Sequence, residues 1–298
     1  GLGTGGTVAD ARIVDRSQWI AAAAESMRVM TGGTDQPSGF FTGRVTGAQT
    51  GALLAFVASG ILGQYDPFSV DSADSGGCLL LVYPNVIAVE RQLRVAPADF
   101  RLWVCLHEVT HRVQFTVNPW LSGYMSQALA VLTTESGDDA MQVVARLADY
   151  VRGRRGGTAA ATVNSTATSS GILGLLRAVQ SEAQRTALDR LLVLGTLLEG
   201  HADYVMDAVG PVAVPSVATI RRRFDERRQR SQPPLQRLLR ALLGIDAKLS
   251  QYTRGKAFVD HVVGRVGMDR FNAVWSGPQT LPLPAEIEEP QRWIDRVL

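Results

Sequence analysis

The sequence is poor in cysteine and lysine and has almost no excess of either charge, and each shortage narrows the class of protein it can encode. Cys78 and Cys105 are its only cysteines, too few for a disulfide framework and typical of a reducing compartment. Only two of the 30 basic residues are lysines, Lys248 and Lys256, and 28 acidic residues leave a net charge of +2. The composition therefore argues against a protein that binds nucleic acid or anionic membranes through its overall charge.

The chain also lacks a long apolar run. Its most apolar stretch, Gly51 to Gly63, covers 13 residues, whereas a membrane-spanning helix needs about 20. The first residues show neither the charged nor the apolar region of a secretory signal. Hydrophobic residues make up 46% of the 298 positions, enough for a large core. We therefore predict a cytoplasmic protein with no membrane partner, folded as a single domain over residues 1–298.

Apolar residues follow a helical spacing along most of the sequence, and strands are predicted only in the first third of the chain. Apolar residues follow a helical spacing over residues 9–31 and 46–62. Two short runs rich in Val, Leu and Ile, residues 78–83 and 86–90, flank a Pro-Asn pair and predict a β-hairpin.

From residue 98 onward, helical patterns dominate the sequence. We therefore divide the sequence into N-terminal helices and short strands over residues 1–97 and a helical part over residues 98–298. The predicted fold class is α+β and predominantly α-helical, with a small hairpin or sheet ahead of the first helix of the second part.

That first helix carries the most informative motif, because residues 107–111 read His-Glu-Val-Thr-His. His107 and His111 lie one turn apart on one helical face, so both imidazoles can bind one metal ion. Glu108 stands beside them and can take a proton from water, the role of a general base. Ala96-Pro97 and Asn118-Pro119 suit the start and stop of such a helix.

Two histidines leave a catalytic zinc site incomplete, since such a site takes three protein ligands. Glu199 is the best candidate for the third, because Asp203 follows it by one helical turn and can accept a hydrogen bond from a ligating histidine. His201 is an alternative, but it points away from Glu199 around the helix. Glu135 is another: Asp139 follows it at the same spacing, although the surrounding residues also suit a helix N-terminus.

The spacing of these residues resembles the gluzincin type of zincin-like metallopeptidase, in which one helix carries His-Glu-x-x-His and a second carries Glu-x-x-x-Asp. The segments 107–115, 199–207 and 251–258 are similar to those of a zincin-like, mostly actinobacterial metallopeptidase group. That group is associated by name with the biosynthesis of a deazaflavin coenzyme. One departure is the interval of 88 residues between His111 and Glu199, longer than in thermolysin-like enzymes.

The resemblance implies Zn²⁺ held by His107, His111 and Glu199, with Glu108 as general base and acid. Tyr252 matches a tyrosine that donates a hydrogen bond to the oxyanion in gluzincin aminopeptidases; a tyrosine buried in the core fits it equally well. The predicted function is a zinc-dependent hydrolase that cleaves a peptide or protein substrate. The alternative is a catalytically silent zinc-binding scaffold that acts through a partner.

A third function, nucleic-acid binding, has one argument in its favour. Six arginines fall within residues 221–230, but Asp225 and Glu226 interrupt them. An exposed face of a helix accounts for such a run without any nucleic acid. We therefore predict no nucleic-acid partner, and the sequence carries no prediction of oligomeric state.

Overall fold

The computed structural model describes residues 10–30, 51, 54–69, 77–133, 181–229 and 245–298. Side chains are described throughout these ranges except at positions 10, 133, 211, 225, 228–229 and 245–253. The chain divides into two compact units. The first contains Gly1–Gln127 and His201–Gln229, and the second contains Ala128–Gly200 and Arg230–Leu298. The single domain predicted for the whole chain stays a prediction.

A three-stranded sheet lies in the first unit. Its strands are β1 (Asp10–Val14), β2 (Gly63–Asp66) and β3 (Cys78–Val82), arranged in the order β1-β3-β2. Strand β3 is an unbroken apolar run, as expected of a central strand. It pairs in parallel with β1 and antiparallel with β2. Strand β2 is therefore an edge strand of the described sheet.

Helix α1 (Arg16–Met30) follows β1 directly and packs on this sheet. Asp15 marks its start: the Asp15 carboxylate accepts from Gln18 N at 2.8 Å, and Gln18 Oε1 accepts from Asp15 N at 2.8 Å. This reciprocal pair is a capping box. The prediction of one helix over residues 9–31 is thus wrong for residues 10–14, whose pairing with β3 outweighs their local helical pattern.

Helix α2 (Tyr83–Leu93) replaces the second arm of the predicted hairpin. Pro84 stands in its first turn, where a missing N–H costs nothing. Val86, Val89 and Leu93 are buried at helical spacing against the core of the first unit. The prediction of a strand at residues 86–90 is therefore wrong, because the apolar run meets that core with a period of 3.6 residues and not two.

Helix α3 (Pro97–Val117) comes next and is followed by α4 (Trp120–Thr133), α5 (Glu182–Ala213) and α6 (Val217–Gln229). Phe100 and Val104 of α3 pack with Ile220 of α6 in the same core as α2. The predicted fold class, predominantly helical with a small sheet ahead of α3, is confirmed.

The described end of the second unit is built from short helices around α7 (Ile245–Val266). These are α8 (Met268–Phe271), the 3₁₀ turns Asn272–Trp275 and Pro278–Thr280, α9 (Pro284–Glu288) and α10 (Pro290–Val297). Phe258, Phe271 and Trp293 are fully buried here, and the Trp293 ring neighbours both phenylalanine rings.

Two glycines bring the backbones of α5 and α7 into close contact. A Cβ added at Gly200 would lie 2.2 Å from the carbonyl carbon of Gly255. A Cβ at Gly255 would in turn lie 2.1 Å from the carbonyl oxygen of Thr196. Only glycine permits this approach.

Among the described helices, none has an apolar stretch long enough to cross a membrane.

Candidate metal centre

Helix α3 positions the histidines as its periodicity predicts. Asp99 lies in the first turn of α3, and Phe100 and Val104 are buried on the side of the helix that faces the core. The rings of His107 and His111 follow one turn apart, with centroids 4.8 Å from each other and planes at 82°. Two neighbouring imidazoles on a helix anchored by its apolar face form half of a metal site.

Glu199 of α5 completes a possible donor set. One ligand atom from each of His107, His111 and Glu199 can be chosen so that all three atoms lie within 4.8 Å of one another. All three side chains are partly buried. Two imidazoles and one carboxylate are the donors of many catalytic zinc sites. The chemistry of this set therefore fits the ion that the sequence predicts, whereas its assignment as a ligand set is a proposal.

Glu108 is held from strand β2. Its side chain is buried, with a relative exposure of 7%, and its Oε2 accepts a hydrogen bond from the Tyr65 backbone N–H at 3.1 Å. Its Oε1 lies 3.7 Å from His107 Nδ1. Among the described residues no donor lies within hydrogen-bonding distance of Oε1, so this oxygen can accept a proton.

Gly63 makes room for the Glu108 side chain. A Cβ added at Gly63 would lie 2.8 Å from Glu108 Cγ and 3.0 Å from its carboxylate carbon. Both atoms are then closer than van der Waals contact allows, and the glutamate would have to move. The edge strand thus orients Glu108 through one backbone donor and one missing side chain.

Gln114 is a site residue that the sequence argument missed. Its Oε1 lies 2.8 Å from His111 Nδ1 and its Nε2 lies 2.9 Å from Nδ1 of His201. It follows His111 by three residues on one helix, so helical spacing could have revealed it. Burial, together with the nearby His111, lowers the pKa of His201 to about 4, which leaves this imidazole neutral at pH 7.

Asp203 has a different neighbour from the one expected. Its Oδ1 accepts from Arg221 Nη1 at 3.2 Å, and Arg221 Nε also pairs with Asp207 at 2.6 Å. Gln114, and not Asp203, holds His111 through a described hydrogen bond. A hydrogen bond donated by a ligating histidine to Asp203 stays a prediction.

Three arginines of the run at residues 221–230 make described contacts within the protein. Besides the Arg221 pairs, Arg223 Nη1 donates to the backbone carbonyl of Leu93 at 2.6 Å and also to that of Arg94. Arg222 pairs with Glu226 one turn along α6 at 3.7 Å. These contacts are structural ones within the first unit. The absence of a nucleic-acid partner stays a prediction.

The side chains of two candidate site residues, Glu135 and Tyr252, are not described. Glu135, the competing third ligand, lies outside the described residues, and Tyr252 is in α7 at a position whose side chain is not described. His201 contacts Gln114 and is absent from the described metal-binding group. Cys78 is buried and Cys105 is partly buried, and burial, with a contribution from Glu108, raises the pKa of Cys105.

Two comparisons with known proteins give a match. The family model of the zincin-like metallopeptidases matches residues 1–294. A crystal structure from Chloroflexus aurantiacus, described as a candidate hydrolase with a novel fold, is 30% identical in sequence and superimposes with a TM-score of 0.63. The match covers 98% of this chain and 81% of that one. No curated protein matches the chain.

Proposed function

The chain belongs to the zincin-like metallopeptidase family, and from that premise we propose that it is a zinc-dependent hydrolase that cleaves peptide bonds. The observation that carries the proposal is the convergence of His107, His111 and Glu199 next to a buried glutamate with one available oxygen. The actinobacterial origin and the deazaflavin association stay predictions, as does the cytoplasmic location.

We propose that His107, His111 and Glu199 hold the ion and that Glu108 moves the protons. A bound Zn²⁺ supplies Lewis acidity, which makes water more acidic and polarises a carbonyl group. Glu108 Oε1 takes the proton of the attacking water while the Tyr65 N–H holds Oε2 in place. The same carboxyl group then returns the proton to the leaving amine.

The outer edge of β2, with which no described strand pairs, supports a peptide as substrate. Val82 N donates to Leu62 O at 2.9 Å, so the backbone groups of alternate residues, including Gln64, face β3. Those of Gly63 and Tyr65 therefore face the other way, the side on which Glu108 accepts from Tyr65 N. An extended peptide can pair with such an edge as an added strand. We therefore propose that the substrate binds along this edge.

The test is hydrolysis of a peptide library by zinc-loaded protein, with Glu108→Gln as the matched variant. We expect cleavage by the wild type and a loss of about 10²–10⁴-fold in the variant, the usual contribution of a general base. Both proteins should bind one zinc ion per chain. Equal cleavage by both would contradict the mechanism. Zinc binding without cleavage by either would favour the catalytically silent scaffold.

A further inference from the structure

A polar chain joins His111 to His201 through Gln114, and the proton transfers proposed above make no use of it. We propose that Gln114 is a positioning residue that fixes the ring orientation and the tautomer of His111, with His201 as the anchor of its amide. The inference rests on the proposed metal site, because it concerns how one ligand of that site is held.

The geometry places a single amide between the two rings. Gln114 Oε1 is 2.8 Å from His111 Nδ1, and Gln114 Nε2 is 2.9 Å from His201 Nδ1. Gln114 is buried, with a relative exposure of 3%, so its amide depends on protein partners for its hydrogen bonds. Both ends of the amide therefore have a defined imidazole neighbour.

The polarity of the amide determines the tautomers. An amide oxygen only accepts and an amide nitrogen only donates. His111 Nδ1 must then carry the proton, and His201 Nδ1 must carry a lone pair. A neutral imidazole with its proton on Nδ1 has a lone pair on Nε2, which is what a metal ligand needs. The reversed amide would require the proton of His111 on Nε2 and would block coordination there.

With the amide in this orientation, His201 Nδ1 accepts a hydrogen bond from Gln114 Nε2 and anchors the far end of the amide. Helix α5 supplies His201, and α3 supplies both His111 and Gln114. These two hydrogen bonds thus link His111, a proposed ligand on α3, to α5. Hydrogen bonds of this kind fix the orientation of ligating histidines and raise their basicity, and their loss typically costs about 10–100-fold in metal affinity.

The experiment measures zinc affinity by competition with a chromophoric chelator, together with the visible spectrum of the Co²⁺-loaded protein. Gln114→Leu removes both hydrogen bonds, and we expect a loss of about 10–100-fold in affinity with altered Co²⁺ bands. Gln114→Glu keeps an acceptor for His111 Nδ1 and should recover most of the affinity. Thr110→Val is the control, because it removes a hydrogen bond to Leu106 O on the same helix without touching either imidazole.

Thermal unfolding of the metal-free variants shows whether each one folds. Should Gln114→Leu fail to fold, Gln114→Asn decides, since it keeps the amide but is too short to span both rings; it should weaken zinc binding to a similar degree. Unchanged affinity and Co²⁺ bands in the folded variants would overturn the positioning role alone. A wild-type protein that binds neither zinc nor Co²⁺ would overturn the metal site itself, so the two failures are distinguishable.

Discussion

Two buried glutamates, one in each unit, are held in opposite ways. Glu286 of α9 accepts three hydrogen bonds: Arg296 Nε donates to Oε1 at 2.7 Å, and Arg296 Nη2 and Leu283 N donate to Oε2 at 2.8 Å each. Glu108 accepts one, from Tyr65 N. Their relative exposures, 4% and 7%, are similar. Burial alone therefore does not separate a structural carboxylate from a reactive one.

The difference lies in the donors. A carboxylate surrounded by an arginine and a backbone N–H is stabilised in its charged form and has no oxygen left for chemistry. Burial opposes the ionisation of Glu286, but the hydrogen bonds from Arg296 and Leu283 outweigh it and keep the pKa of Glu286 below 4.5. Glu108 retains one oxygen to which no described residue donates, which suits a group that must take up and release a proton.

The strongest test of this contrast removes the metal from beside Glu108. Glu199→Ala should reduce bound zinc from about one ion per chain to near none and should lower hydrolysis to background, because two histidines alone make an incomplete site. Metal analysis after dialysis measures it. Glu135→Ala is the control and should retain its zinc. Loss of metal in the Glu135 variant alone would transfer the third-ligand role to Glu135.

Exchanging each glutamate for glutamine tests the roles directly. Glu108→Gln should lower kcat by about 10²–10⁴-fold with zinc retained, whereas Glu286→Gln should leave kcat within about twofold, since Glu286 has a structural role. Steady-state kinetics on one peptide substrate measures both variants. A comparable fall in kcat in the Glu286 variant would remove the distinction between the two residues.

Displacing the Glu108 carboxylate without replacing it should lower kcat less than Glu108→Gln does. The Cβ of Gly63→Ala would displace the Glu108 side chain, and a shift of about 1 Å can cost up to 10²-fold in rate. We expect a fall of about 10–100-fold in kcat with unchanged zinc content. Gly60→Ala is the matched control, because nothing lies within 4 Å of a Cβ at that position. Equal rates for the two variants would show that β2 does not position Glu108.

The structural glutamate should instead affect stability. Glu286→Gln breaks a buried ion pair with Arg296, and we expect a loss of about 2–3 kcal/mol in the free energy of unfolding. Urea denaturation measures it. Glu289→Gln, at a pair 3.6 Å long and largely exposed, should cost at most about 1 kcal/mol. Similar losses in both variants would show that the Glu286 pair contributes no more than a surface one.

The smallest predicted effect is a pH dependence of that stability. Because the folded state holds the pKa of Glu286 below its ordinary value of 4.5, its contribution is complete above pH 4.5 and is lost as the pH falls through the folded pKa. The stability difference between wild type and Glu286→Gln should therefore shrink below pH 4.5. Urea titrations across the acid range would reveal it, and a difference that grew on acidification would contradict the ion pair.

Local patterns predicted the part of the site that lies on one helix. His107, Glu108 and His111 depend only on helical spacing along α3, and that helix forms over Pro97–Val117. Residues 10–14 and 86–90 were assigned wrongly because partners distant in sequence decided between strand and helix there. The remaining features of the site join residues that are far apart in sequence. Tyr65 N donates to Glu108 43 positions away, and Gln114 contacts His201 87 positions away. Gly63 likewise leaves space for the distant Glu108 side chain.

The sequence by itself determined the donor chemistry of the candidate metal centre on α3, since the residue types and their helical spacing define which donors share a face. Only the tertiary structure decided how Glu108 is oriented, which residue braces His111 and which buried glutamate is saturated by donors. The physical reason is that hydrogen bonds and close backbone approaches depend on distances in space, and the packing of the sheet and helices sets those distances independently of separation along the chain.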